Sequence, residues 1–208
     1  VVRSLYNRIA GQNLERLAAL SDGVFAVAMT LLVLDLRAPA AEAIHSERDL
    51  LTALLALAPR LVTYLMSFLT LGIFWLGQQT QFDRLARSDR DLTWIHIAFL
   101  CAVTLVPFST ALLAEHIAYR VALIVYWVNI LLLGLLLLWT WRHTVRAKLI
   151  RDDTAPDVVA AVCRRIIIAQ SLYAFGAALC VVNTYWSIAF IVLVQINYAV
   201  APPWPSRR

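Results

Sequence analysis

Six stretches of the chain, near residues 17–36, 59–80, 92–114, 118–141, 162–182 and 185–204, are apolar over about 20 residues each, the length a helix needs to cross a hydrocarbon core about 30 Å thick. Inside lipid no water satisfies backbone N–H and C=O groups, so such spans fold as helices. The pieces between them are short and leave no room for a soluble domain. The predicted fold class is therefore all-α: a polytopic membrane protein of six transmembrane helices forming one bundle over residues 1–208. Composition agrees, because 62% hydrophobic residues with 15% charged and a mean hydropathy of +0.74 are too apolar for a water-soluble domain of this length.

The formal net charge of +5 would suit a nucleic-acid binder, but its distribution points to a bilayer. Arg3, Arg8 and Arg16 precede the first span, and Arg84, Arg87 and Arg90 fall between the second and third. Arg142, Arg146, Lys148, Arg151, Arg164 and Arg165 lie between the fourth and fifth, with Arg207 and Arg208 at the end. That places 14 of the 18 basic residues on one side, against Arg37, Arg48, Arg60 and Arg120 on the other. The positive-inside rule then predicts a multi-pass membrane protein with both termini cytoplasmic. No nucleic-acid partner is expected.

The first span carries polar residues that an anchor does not need. It reads RLAALSDGVFAVAMTLLVLDL, with Ser21 and Asp22 near its start and Thr30 in its middle. Basic residues before an apolar run, followed by Ala38-Pro39-Ala40, imitate a cleavable secretory signal. Against that reading, cleavage would leave five spans and place the new N-terminus outside. Moreover, only 12 residues separate Asp22 from Asp35, about 18 Å of helix, so a spanning helix draws Ser21 and Asp22 into the membrane edge. A carboxylate there marks a structural or functional site inside the bundle. At 100° per residue Gly23, Val27, Thr30 and Leu34 share one stripe, and Asp22 lies about 100° from Gly23. Lipid contact or small-residue helix packing explains the stripe as well as any function does, and a helix cap with an interhelical hydrogen bond explains the patch.

Arg16-Leu17-Ala18-Ala19-Leu20-Ser21-Asp22 resembles the Arg-x-x-x-Phe-Ser-Asp signature of the transmembrane protein 175 family of potassium channels, with Leu20 in place of phenylalanine. The similarity continues through the rest of the first span, Pro59-Arg60, Gly72-Ile73-Phe74-Trp75, Asp89 and Leu105-Val106-Pro107-Phe108-Ser109-Thr110. Two departures stand out. Gln78 and Gln79 occupy the places of paired histidines, and His96 the place of an asparagine. Glutamine does not titrate near neutrality, so proton sensitivity attributed to those histidines does not carry over.

The resemblance implies that the membrane is a cell membrane, the inner membrane of a prokaryote, and that the protein is a homotetramer in the lipid bilayer whose pore is lined by the first helix of each subunit, with permeant potassium ions and no cofactor. It places Val27 at the hydrophobic constriction, Thr30 at a threonine contributing to potassium preference, and Leu34 at a further apolar ring. Valine is smaller than the leucine or isoleucine usual at the constriction, which implies a wider or leakier pore. Arg16, Ser21 and Asp22 are implied to form a buried structural or gating network, reaching Trp75 and His96. A plainer reading of His96 is an uncharged, hydrogen-bonding histidine in the bundle.

Other constellations carry less. The four histidines have no metal-ligand spacing and the three cysteines form no CxxC pair, so no metal site is expected. Ser21 lacks the histidine of a nucleophilic triad, and no enzymatic activity is expected. Asn129, Gln170, Gln195 and Asn197 read as interhelical hydrogen-bonding residues, and Trp139, Trp141, Trp186 and Trp204 as interfacial anchors. The alternative to a channel is a proton- or ion-coupled secondary transporter using Asp22 and His96. Such carriers usually show inverted repeats or helices interrupted at the midplane, and Pro107 is not echoed in the second half.

Overall fold

A computed structural model describes residues 13–200. The elements are helical: α1 (Leu14–Leu31) running into a 3-10 turn (Leu32–Asp35), α2 (Glu47–Ala56), α3 (Ala58–Phe82), α4 (Arg90–Thr104), α5 (Val106–Glu115), α6 (Arg120–Arg146), α7 (Pro156–Ala178) ending in a 3-10 turn (Leu179–Val181), and α8 (Thr184–Val200). Five spans are long and apolar enough to cross a membrane, with α4 and α5 forming one of them, and α8 is a shorter apolar helix. The molecule is a polytopic all-α membrane protein. Arg3, Arg8, Trp204, Arg207, Arg208 and the last residues of the sixth predicted span lie outside the described residues.

Local chemistry sets the helix ends. Asn13 caps α1 by accepting the backbone N–H of Arg16 at 2.9 Å. α2 was not among the predicted elements, yet Ser46 caps it by accepting the N–H of Asp49 at 3.2 Å, the Ser-x-x-Asp pattern of a helix start. The third span breaks at Leu105, whose N–H turns back to Ala102 O at 3.3 Å. Pro107 has no N–H to give the carbonyl four residues before it, so the helix restarts as α5. The first span also departs from one continuous helix. Beyond Leu31 it tightens to 3-10 geometry, where residues three apart eclipse.

Within the bundle α6 packs on α4, α5 and α7, while α3 touches α1, α5 and α8. Lipid is as apolar as leucine, so contact packing and hydrogen bonds hold these helices together. Phe25, Phe74 and Phe99 meet at 6.0 and 6.4 Å between ring centroids on a core that includes Leu32, Met66, Val103, Leu123 and Ile130. A buried polar cluster crosses the same core. Gln195 donates to Thr70 Oγ1 at 2.7 Å, Thr70 and Tyr126 hydroxyls meet at 3.0 Å, and Thr110 donates to Ser67 at 2.7 Å. Asn129 donates to Ser109 at 3.2 Å, whereas Asn197 is exposed. Trp141 is not an interfacial anchor: it is fully buried and its indole donates to Val159 O at 3.1 Å, tying α6 to α7.

At the basic end two loops clasp each other. Ala86 N–H donates to Leu149 O and Arg151 N–H to Arg84 O, both at 2.9 Å, making a single antiparallel bridge between Leu85 and Ile150. Asp89 caps α4 through Leu92 N–H at 2.7 Å and meets His143 Nε2 at 3.1 Å.

Candidate functional site

Helix α1 has two unlike faces. Leu17, Ser21, Phe25 and Ala28 are buried and continue into Leu32, at the three- and four-residue spacing that keeps side chains on one stripe. They pack on α3 and α4. On the other side Gly23, Ala26, Val27, Thr30 and Leu34 are exposed, Val27 at 57% and Leu34 at 65%, while Leu32 is 0% exposed. The Thr30 hydroxyl donates to Val27 O at 2.8 Å. Its proton is committed to the helix's own backbone, so its oxygen turns lone pairs outward. The 3-10 turn alters the stripe. Leu34 lies over Leu31, about 60° from where α-helical periodicity puts it, and about 12 Å rather than about 10 Å along the axis from Val27.

The polar patch bridges α1 to α3. Ser21, fully buried, donates to Gln78 Oε1 at 2.5 Å. Asp22, one residue round the helix and exposed, accepts on a single carboxylate oxygen from Trp75 Nε1 at 2.8 Å and Gln79 Nε2 at 2.9 Å. Trp75, Gln78 and Gln79 stand at i, i+3 and i+4 on α3 and therefore share one face. Two charge-assisted bonds on one oxygen fix the rotation of α1 against α3.

The structure brings Ser21, Asp22 and Trp75 together and leaves Arg16 and His96 apart from them. Arg16 is exposed and contributes its backbone N–H to the cap; among the described residues no ion pair joins it to Asp22. His96 is 1% exposed, with its ring 5.0 Å from that of Phe82 and 5.8 Å from that of Phe99, and its Nε2 has no hydrogen-bond partner. The residues that complete the patch are Gln78 and Gln79. The i, i+3, i+4 spacing from Trp75 was the sequence signal for them.

The sequence pattern of the family described as endosomal/lysosomal potassium channel TMEM175 matches residues 16–107, from α1 to the start of α5. A potassium channel of Streptomyces collinus is 36% identical over 199 residues, covering 93% of this chain and 95% of that protein. A potassium channel of Chamaesiphon minutus is 31% identical over 189 residues, covering 89% and 93%. The crystal structure of a lysosomal potassium-selective channel TMEM175 homolog from Chamaesiphon minutus aligns with a TM-score of 0.77 at 30% identity, over 90% of this chain and 97% of that one.

Proposed function

The chain belongs to the TMEM175 family, a class of channels and not of enzymes, and from that premise we propose that residues 1–208 form one subunit of a homotetrameric, potassium-permeable channel in a cell membrane, with α1 of each subunit lining the pore. The observation that carries this reading is the outward face of α1, where Val27, Thr30 and Leu34 stand exposed beside a fully buried Leu32. In a tetramer each of these positions becomes a ring of four.

The Val27 and Leu34 rings are apolar constrictions. An ion passing them sheds water without receiving protein ligands, so they set the barrier by dewetting. Between them the Thr30 oxygens face the axis with free lone pairs and act as replacement ligands for a partly dehydrated potassium ion. Asp22, Ser21 and Trp75, with Gln78 and Gln79, set the rotation of α1 and so the aim of those rings, a structural or gating role outside the ion path. Arg16 is free to reach a neighbouring subunit, and His96 serves as a packing residue of the core. The charge distribution puts the basic end in the cytoplasm.

The transporter reading needs Asp22 and His96 at one ion site. Asp22 is on the surface and the His96 ring packs on two phenylalanines, which removes its geometric basis. Purified protein in planar bilayers tests the reading. Unitary current steps with a reversal potential displaced toward that of potassium are expected, and uptake without unitary steps would return the chain to the carriers.

A further inference from the structure

A lateral cavity opens between α3, α6, α7 and α8. Phe74, Gly77, Leu137 and Ile166 give it apolar walls, and the exposed Thr80 and Arg165 stand at its rim. α7 is the least packed of the spans, with 6% of its apolar window buried, so the cavity opens on the outer surface of the subunit. Two of its polar lining residues are almost fully buried and incompletely bonded. Gln81, 1% exposed, uses its amide N–H on Leu137 O at 3.1 Å, which leaves Oε1 without a donor. Tyr173, 2% exposed, has an unpartnered hydroxyl. Leaving such groups unsatisfied is costly, and a bound polar group relieves the cost.

The charge at the rim narrows the ligand class. Arg165 stacks 5.7 Å from the Tyr198 ring centroid, and among the described residues no carboxylate pairs with it. The two stretches at its end of the bundle, residues 83–91 and 142–165, together carry nine basic residues against six aspartates, an excess of positive charge. α7 runs inward from that end, so Tyr173 lies about 12 Å deeper along the axis than Arg165.

We propose that this cavity binds an anionic phospholipid with free headgroup hydroxyls. Its phosphate sits on Arg165, a headgroup hydroxyl donates to Gln81 Oε1, and one acyl chain lies against Phe74 and Ile166. A zwitterionic choline headgroup brings a cation beside Arg165 and no hydroxyl. A free phosphate leaves the apolar walls uncovered, and a helix from a second copy covers the walls without satisfying Gln81.

The full-length protein in detergent, followed by native mass spectrometry and thermal unfolding, tests this without any current measurement. Phosphatidylglycerol is expected to bind and to raise the unfolding midpoint above that seen with phosphatidylcholine, and glycerol 3-phosphate to have no effect. Arg165→Gln is expected to weaken phosphatidylglycerol about fivefold, Arg165→Lys to retain most of the preference, and Ala169→Phe to abolish it by filling the cavity. Equal response to the two lipids, an equal response to glycerol 3-phosphate, or a preference that survives both Arg165→Gln and Ala169→Phe would overturn it.

Discussion

Ser21 and Thr30 sit on the same helix and spend their hydroxyl protons in opposite ways, one on a neighbouring helix and one on its own backbone. Ser21→Ala leaves Gln78, whose Nε2 is already unpartnered, with no bonded amide atom in a buried site. A loss of about 1–3 kcal/mol is expected, read as a lower unfolding midpoint in detergent. The double variant Ser21→Ala with Gln78→Leu removes both partners and should recover most of it; a double variant as unstable as the single one would sink the account. For Thr30, the isosteric Thr30→Val removes the oxygen and keeps the shape. It is expected to lower the potassium-to-sodium permeability ratio, with Thr30→Ser restoring it, measured as reversal potentials under asymmetric ions. Thr30 stands out in the sequence because a polar residue in a lipid-length run has few reasons to be there, and the permeability measurement tests the role proposed for it. Gln78 and Gln79 stood out by their spacing from Trp75, but their partners did not, because which face of α3 meets α1 is a matter of packing.

For α1 the question is rotation. Val27→Phe adds bulk to an exposed face, so folded protein with abolished current is expected. Leu32→Phe overfills a closed core position and is expected to cost about 1–3 kcal/mol, read as low yield or a lowered unfolding midpoint. Block by Leu32→Phe in well-folded protein, with Val27→Phe still conducting, would turn the helix round and remove all three pore assignments together. At the contact of α7 with α8, a Cβ on Gly176 would meet Phe190 Cδ1 at 2.9 Å and Ile191 Cγ1 at 3.0 Å, and Ser187 donates to Gly176 O there. Gly176→Val is expected to separate these helices and lower the unfolding midpoint, while the same change at Gly72, which has open space around it, is not. Hydropathy alone located the spans, because their length is fixed by the bilayer. It was blind to the break at Leu105, which Pro107 marks in the sequence, and to the 3-10 turn after Leu31, because hydropathy registers neither a missing N–H nor a change of backbone geometry. α2 went unseen because its ten residues are too short to span a membrane, although Leu50, Leu51, Leu54 and Leu55 repeat at helical spacing and Ser46 offers a cap.

At the scale of the whole molecule, the apolar face of α1 is exposed among the described residues, and assembly is the expected solution. Native mass measurement or cross-linking in mild detergent is expected to give four copies; a stable, conducting monomer would place the pore inside a single subunit. The positive-inside rule concerns charge alone and so gives the arginines an expected side, whereas the joining of the two basic loops depends on how α3 and α6 end and could not be read from charge. Those loops are held by backbone atoms at Ala86–Leu149 and Arg151–Arg84. A bond between main-chain groups is indifferent to side-chain identity, so the clasp is expected to tolerate most substitutions in either loop and to yield only to a proline at Ala86 or Arg151, or to a change in loop length. It also closes residues 85–150 into a ring of chain, so the end of α6 and the start of α4 are tethered to each other through the backbone as well as through their packed faces.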